Sequence, residues 1–562
     1  MDTAARLRDL GRADLEARFD SALDLVRDPF QPQRHQPHPS LWLAGALLES
    51  GDTGRAERII DRALALQELR EDDPHYGNFR WHYEDEAVVD LNACQFVLEA
   101  LLRLPFDSLA AGLRDRVFAA MRLALAEAAR LDVHWTYTNI HLLDVHNRIL
   151  AGQLLGDDAI IRAGVSRLRD WARRTIEAGA PHEFNSPTYA AVDLNCLAGI
   201  ANRAADPAAR VIALEMEELV WRHVARHWHA PTMQLAGPHS RAYRRDIVGA
   251  SGYLKVVLYK LLGDERLLAA CPYYEGPDAE SHLIVAGIEH HCPPDAEAMF
   301  REPGTRAFRE TVARDPLTDT ITHITPGFAL GTMSRPYGVG DPPEHWPMDS
   351  ACIAYWRRAG EPGHGVLYSR YRINATPAGQ PSRDAVPRWL DIWEDGVFRT
   401  AQSGGRAIVA YGLAPRGQRP ISSLRLDIRL LGPAEPLQYD GGPVVISDGD
   451  VHIGIVPLAS DNLGHTPPVT AWRDGDETVI SITNYEGPAK VFWEYRSLGG
   501  PFWKGNVRNG FALWIAPRGD FGSAADFRAA LAATPLTDET TSFKRRISFA
   551  DVTLEYDLRD MR

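Results

Sequence analysis

Apolar residues return every three or four positions through the first half of the chain, with polar residues between them. That spacing lays one apolar stripe along a helix. It predicts helices over residues 13–27, 41–49, 53–69, 85–104, 108–131, 139–155, 157–178, 187–204, 207–227 and 246–262. The joins are mostly short and hold Gly, Pro, Asp and His, with Gly51-Asp52 and Gly237-Pro238 as clear breaks. About ten helices joined by short loops make antiparallel neighbours, hence stacked helical hairpins. No motif repeats at a fixed period, so a TPR or HEAT array is not expected. The expected arrangement is an incomplete barrel of hairpins, an α/α toroid, over residues 1–275.

Residues 276–316 read as a linker. From Leu317 onward the period becomes two, the mark of strands. The runs are Ile321, His323, Thr325; Val366, Tyr368, Arg370, Arg372; Ala407, Val409, Tyr411; Leu424, Leu426, Ile428, Leu430; and Val451, Ile453, Ile455. Further runs at 478–483 and 490–495, and a closing hairpin at 542–557, continue the pattern. A helical period returns at 523–533. Asp395-Gly396, Gly441-Gly442, Asp448-Gly449 and Asp474-Gly475 supply turns. A large antiparallel β-sandwich domain is expected over 317–562, which makes the whole a multidomain α+β chain.

Composition narrows the class. A chain of 562 residues exceeds one compact core. The net charge of -14 argues against a general nucleic-acid binder, though a local basic cleft fits within an acidic protein. Cys94, Cys196, Cys271, Cys292 and Cys352 are scattered with no CxxC pair, so they read as buried thiols. His290-His291-Cys292 invites a metal reading, but no partner pair stands at ligand spacing, and no metal ligands are assigned. The N-terminus has no apolar signal core, and no run is long enough to span a membrane. A cytoplasmic place is expected, or a periplasmic or secreted one if a leader has been removed. The sequence does not decide between a monomer and a homodimer.

In a ring of helices, ligands bind where loops converge, so loops rich in polar and aromatic groups matter most. Residues 75–86 hold Trp81 and Tyr83, which can stack on sugar rings, and Glu84, Asp85 and Glu86 as candidate acids. Those acids also suit a helix N-terminus, with Trp81 as a packing staple. Residues 134–147 hold His134, Tyr137, Asn139 and His141. Asn139 can offer its amide to a carboxylate or simply cap a helix, and His141 can touch Asp144 three residues on. His146 reads as a core residue. Residues 182–189 hold Glu183, Asn185 and Tyr189. Ser186-Pro187 is a good helix start, which leaves Asn185 and Tyr189 to face the rim or to pack beneath it. Residues 237–244 read Gly-Pro-His-Ser-Arg-Ala-Tyr-Arg. If that loop is extended, His239, Arg241 and Tyr243 share one face. The plainer reading pairs its arginines with surface acids and leaves His239 in a turn.

This set of Asn, His, Tyr and Arg has no Ser-His-Asp order and no nucleotide loop. It suits removal of a proton beside a carboxylate. Such a reaction needs the carboxylate neutralised, a base at the α-proton and an acid at the leaving oxygen. A free tyrosine titrates at about pH 10, so a tyrosine base needs a nearby cation, and Arg241 and Arg244 are close to Tyr243 in sequence.

The order of parts, toroid then linker then antiparallel sandwich, resembles the polysaccharide lyases of the heparinase II/III, alginate and chondroitin/hyaluronan type over nearly the whole chain. Residues 517–524, Pro-Arg-Gly-Asp-Phe-Gly-Ser-Ala, are similar to the C-terminal part of such β domains. The resemblance implies β-elimination across the C4–O4 bond of a uronic acid. It implies Asn139 and His141 as the Asn-His element, Tyr189 or Tyr243 as the acid/base tyrosine, and His239 as the histidine. Two features depart from the family. Ile140 separates Asn139 from His141, and Gly363-His364-Gly365-Val366 is the nearest match to the His-x-His-x-Asp element. A divergent member is expected.

The expectation is therefore a lyase that gives a 4,5-unsaturated uronate. Tyr243, His239, Tyr189, Asn139 and His141 are the catalytic candidates. Asn185, Arg241, Arg244, Trp81, Tyr83, Glu84, His134 and Tyr137 are the substrate-binding ones. The expected partner is an acidic poly- or oligosaccharide, with no nucleic acid, no membrane and no required cofactor. Two alternatives stand. One is an α/α-barrel glycoside hydrolase using carboxylates among Glu84, Asp85, Asp144 and Glu183. The other is a non-catalytic carbohydrate-binding protein.

Overall fold

The computed structural model describes residues 2–274, 281–314, 316–339, 344–345, 348–360, 363–375, 393–413, 420–432, 441–461, 469–491 and 507–561. Its first half is helical: Thr3–Arg18, Pro37–Glu49, Thr53–Leu64, Ala93–Leu101, Ala111–Leu131, Thr138–Leu155, Asp158–Ala178, Tyr189–Arg203 and Pro207–His227. Local chemistry sets many of the ends. The Asp157 and Asp206 carboxylates each accept from two N–H groups of the helix they precede. Gly156 and Gly179 close helices in the left-handed conformation. Consecutive helices pack as hairpins, for example Thr138–Leu155 on Asp158–Ala178 and Tyr189–Arg203 on Pro207–His227. Their apolar stripes meet in one core that includes Leu142, Leu168, Leu197 and Trp221.

Several predicted boundaries move. The first helix begins at Thr3 and ends at Arg18, and strands of two or three residues follow at Phe19–Asp20, Leu25–Arg27 and His35–Gln36. Strands that short carry no periodic signal. The helix predicted over 85–104 starts only at Ala93, because His82, Asp85 and Asp28 hold the preceding segment in turns. The helix predicted over 246–262 divides into Arg244–Ile247 and Tyr253–Leu262 around Gly249. Gly249 has φ 81°, and a Cβ there would meet His364 and Gln234. The predicted linker is not plain connection: it contains helices His282–Ala286 and Pro294–Arg301 and the whole of strand Arg306–Arg314. Residues 276–280 and 315 of it, and 492–495 of the run at 490–495, lie outside the described residues.

The second half is antiparallel sheet, so the chain is a multidomain α+β protein. An eight-stranded sheet runs in the order Val469–Asp474, Glu477–Val491, Pro420–Leu431, His364–Ile373, Cys352–Arg357, Phe328–Met333, Leu317–Ile324, Arg306–Arg314. A five-stranded sheet runs Gly396–Ser403, Arg406–Leu413, Asn509–Pro517, Val451–Pro457, Val444–Asp448. Leu367, Leu426 and Ile480 of the first share a core with Phe398, Tyr411 and Phe511 of the second. A three-stranded sheet, Leu536–Thr541, Lys544–Phe549 and Val552–Asp557, stands where one hairpin was expected. Its Ile547 and Phe549 cover the five-stranded sheet at Ile408 and Ala512.

Strand Cys352–Arg357 shows what joins the two halves. Successive side chains point to opposite faces. Cys352, Ala354 and Trp356 enter the core shared by the sheets. Ile353 and Tyr355 face the other way and pack with Ala242, Ile247 and Val248 from the helical half. The loop that leads to Tyr243 is therefore seated on a sheet. No helix among the described residues is long and apolar enough to cross a membrane.

Candidate active site

Two segments, 183–189 and 236–243, are zipped together by side-chain-to-backbone hydrogen bonds. The Asn185 amide donates to the carbonyls of Ala236 and Pro238, each at 2.7 Å. Ser240 donates to the Phe184 carbonyl and Ser186 to the Arg241 carbonyl, both at 2.6 Å. Asn185 itself sits at φ 48°, a conformation that Asn tolerates better than most residues. The sheet fixes the same loop from below. Thr322 donates to the Gly237 carbonyl, the Ser350 N–H to that of His239, and the Ala242 N–H to that of Met348. The contact is close enough to require glycine on both sides. A Cβ on Gly237 would lie 1.8 Å from Ile353 Cγ2, and one on Gly331 would lie 1.9 Å from the Gly237 oxygen.

This scaffold brings Tyr137, Asn139, Glu183, Tyr189, Arg241 and Tyr243 together. The Tyr189 and Tyr243 hydroxyls are 2.5 Å apart. Arg241 Nη2 is 3.4 Å from the Tyr243 hydroxyl, and its guanidinium lies 4.2 Å from the Tyr189 ring and 5.6 Å from that of Tyr137. Buried Glu183 balances the cation: Oε1 meets Arg241 Nη1 at 3.1 Å, and Oε2 accepts from Asn139 N at 2.9 Å and Nδ2 at 2.6 Å. Burial lifts the Tyr189 hydroxyl well above the ordinary tyrosine value, and the Arg241 charge opposes this without cancelling it. Burial likewise pushes Tyr137 up to about 12. Tyr189 thus stays a proton donor at neutral pH. Tyr243 is only half-buried and forms the outer member of the pair.

Other candidates lie elsewhere in the arrangement. His239 does not share an open face with Arg241 and Tyr243: it is fully buried, because the sheet covers that side of the loop. Its Nδ1 donates to the Asn185 carbonyl at 2.8 Å, its Nε2 has no hydrogen-bond partner among the described residues, and burial pushes it down to about 4. The Asn139 and Asn185 amide nitrogens are both engaged within the protein, on Glu183 and on backbone carbonyls. Arg244 is pinned to the sheet by Glu477 at 2.7 Å and the Tyr368 hydroxyl at 3.2 Å. His141 does not take Asp144 as its partner. It meets the Val133 carbonyl and Arg167, while Asp144 pairs with Arg148 and Arg167.

The aromatic loop at 75–86 is braced from within. Trp81 packs against His38 and Phe96, Tyr83 lies by Arg62, and Glu84 accepts from the His35 ring at 2.6 Å. His134 is exposed and bonds Thr136. His146 is a buried core residue bonded to Asn147. His364, from the weak Gly-His-Gly match, donates to the Val248 carbonyl and braces the site loop.

Two residues were not singled out for their roles. Glu183 appeared as a carboxylate acid, whereas it is the counter-ion of Arg241. Arg245 was not named at all. Its guanidinium is half-buried, 5.8 Å from the Tyr243 ring, with Nη2 donating to the Thr188 hydroxyl at 3.3 Å and Nε 3.8 Å from Asp246 Oδ1. The Arg244-Arg245 pair was the available signal, since one helical turn sends adjacent residues in different directions.

A domain of unknown function (DUF8769) matches residues 119–283, the stretch that carries this cluster. No curated protein sequence matches the chain. The structure is similar to that of a heparinase III, at 10% identity and a TM-score of 0.43, over 93% of this chain and 82% of that one. A chondroitin AC lyase mutant of Streptomyces coelicolor A3 aligns at 14% identity and a TM-score of 0.42, over 97% and 83%. A heparan sulfate lyase mutant of Pedobacter heparinus aligns at 10% identity and a TM-score of 0.31, over 99% and 94%.

Proposed function

We propose that the chain is a lyase that cleaves uronic-acid-containing oligo- or polysaccharides by β-elimination. The observation that carries this reading is the Tyr243 hydroxyl, which sits at the outer edge of the cluster within reach of two donors, Tyr189 and Arg241. Both can donate a hydrogen bond to an oxygen on which negative charge develops. Arg245, 5.8 Å from the same ring, is the cation this reading assigns to the substrate carboxylate. In this scheme the Tyr243 phenolate takes the C5 proton, and the carboxylate absorbs the electron pair. The C4–O4 bond then breaks, and the new phenol returns its proton to O4. The products are a 4,5-unsaturated uronate and a shortened glycan bearing a free hydroxyl. Glu183 and Asn139 hold Arg241 in place, and Asn185 and His239 hold the loop. Tyr137 extends the rim, and Trp81, Tyr83 and His134 are outer sugar contacts. The same reading takes residues 1–275 as an incomplete toroid and 317–562 as a β-sandwich domain.

Hydrolysis has less support, because its carboxylates are committed elsewhere: Asp85 to Arg34, Glu84 to His35, Asp144 to Arg148 and Glu183 to Arg241. The test is absorbance at about 235 nm, where a conjugated uronate absorbs, during incubation with a panel of uronate glycans. A rise on one glycan, cut about 10²- to 10⁴-fold by Tyr243→Phe, is the expected result. A rise that Tyr243→Phe leaves intact removes this tyrosine from the chemistry. New reducing ends without absorbance would replace elimination by hydrolysis.

A further inference from the structure

We propose that His223, His227 and Glu310 form a binding site for a divalent transition-metal ion of the zinc type, which clamps helix Pro207–His227 to the edge strand Arg306–Arg314. One ligand atom from each of the three residues lies within 4.8 Å of those of the others. The sequence places them well. His223 and His227 are four apart on the last turns of one helix, hence on one face. On the strand, Arg306, Phe308, Glu310 and Val312 alternate toward the helix, so Glu310 is a carboxylate aimed inward.

The tautomer supplies the stronger argument. His227 Nδ1 lies 3.0 Å from the His223 carbonyl, and a carbonyl can only accept, so Nδ1 carries the proton. The other ring nitrogen, Nε2, points at Glu310 Oε2 from 3.2 Å, so one nitrogen is anchored to the backbone and the other faces the carboxylate. For bonds of about 2.0–2.1 Å in a tetrahedral site, ligand atoms stand about 3.3 Å apart. The His227–Glu310 distance already meets that spacing. His223 Nδ1 is 3.8 Å from Glu310 Oε1, within a small rotation of it. His223 Nε2 and Glu310 Oε2 are buried and make no hydrogen bond among the described residues. The competing cation is Arg226, whose Nη1 reaches Glu310 Oε1 at 3.0 Å while its guanidinium lies over Phe308. Arg306 is also close, bonded to the Arg226 and Trp228 carbonyls. Glu310 has a second oxygen, so Arg226 does not occupy the whole carboxylate.

None of the three residues belongs to the tyrosine cluster, and the proposal does not depend on the lyase reading. The test is Co²⁺ titration of the full metal-stripped chain, followed by visible absorbance and calorimetry, with Zn²⁺ as competitor. The expected result is one Co²⁺ per chain, with visible bands that Zn²⁺ displaces and a melting temperature that rises with added Zn²⁺. Loss of even an outer partner costs about 10- to 100-fold in metal affinity, so His227→Ala and Glu310→Gln must each weaken binding by at least that factor. Arg226→Ala must keep binding or tighten it. Should those variants fail to fold, anomalous scattering from zinc-soaked crystals of the unaltered chain must place the ion between the three side chains. No stoichiometric binding, an ion found elsewhere, or affinity unchanged in both ligand variants overturns the proposal, leaving a protonated His227 and Arg226 to neutralise Glu310.

Discussion

Glu183→Gln removes one negative charge from the centre of the tyrosine cluster while keeping its shape. Glu183 accepts from Arg241 at Oε1 and twice from Asn139 at Oε2. Glutamine has one acceptor oxygen, so its amide nitrogen must face either the guanidinium or both Asn139 donors. Either choice sets donor against donor in a buried site. Breaking a buried pair at one partner costs about 3–5 kcal/mol, because the other charge is left uncompensated. For a unit of roughly 150–250 residues each kcal/mol moves the melting temperature by about 2–4 °C, so the shift is on the order of 10 °C. The measurement is thermal and urea unfolding followed by tryptophan fluorescence, since Trp171, Trp221 and Trp228 are buried in the helical half. Arg241→Met fills similar volume without charge. The double variant Glu183→Gln/Arg241→Met is expected to be more stable than the sum of the singles by about 1–3 kcal/mol. A loss below about 1 kcal/mol for Glu183→Gln, or strict additivity in the double variant, would show that Glu183 does not hold Arg241, and the electrostatic argument for Tyr243 would go with it.

Tyr189→Phe keeps the buried ring and removes a donor to Tyr243; its cost in kcat is expected to be measurable but smaller than the roughly 10²- to 10⁴-fold cost of Tyr243→Phe, and an unchanged kcat would separate the two hydroxyls functionally. Gly331→Ala drives a methyl into the backbone of Gly237, at 1.9 Å from its oxygen; a 1 Å displacement of the site loop lowers turnover by about 10²-fold, and full activity in this variant would show that the sheet does not position the loop. Stability is expected to fall as pH drops from about 6.5 to about 4. Burial pushes His38, His146 and His290 down to about 3 and His141 to about 4, so the unfolded chain binds more protons across that window. The raised carboxyls of Glu394, Asp193 and Asp246 oppose this with fewer groups, and a melting temperature that climbs on acidification would reverse the balance.

The helical spans were legible because their cause is local. An apolar stripe and an aspartate cap set Asp158–Ala178 and Pro207–His227 to within a residue. Strand Cys352–Arg357 was not, because it is covered on both faces and so has no alternation to read. The site divides the same way. Arg241 and Tyr243 stand two apart, and their closeness could be read from the segment alone. His239 belongs to the same alternation, yet it is buried, because Ile353, Ser350 and Gly331 close over that side from about a hundred residues away. No feature of residues 237–244 announces that cover. The identity of the cations was non-local too. Glu477 draws Arg244 to the sheet, and the turn beginning at Arg244 leaves Arg245 by Tyr243. In the proposed reading the loop carries the reactive groups, and the sheet decides which of them stay open to a ligand. Substitutions on the covered face of that sheet, at Ile353 or Gly331, should tune the chemistry at Tyr243 as strongly as changes beside it.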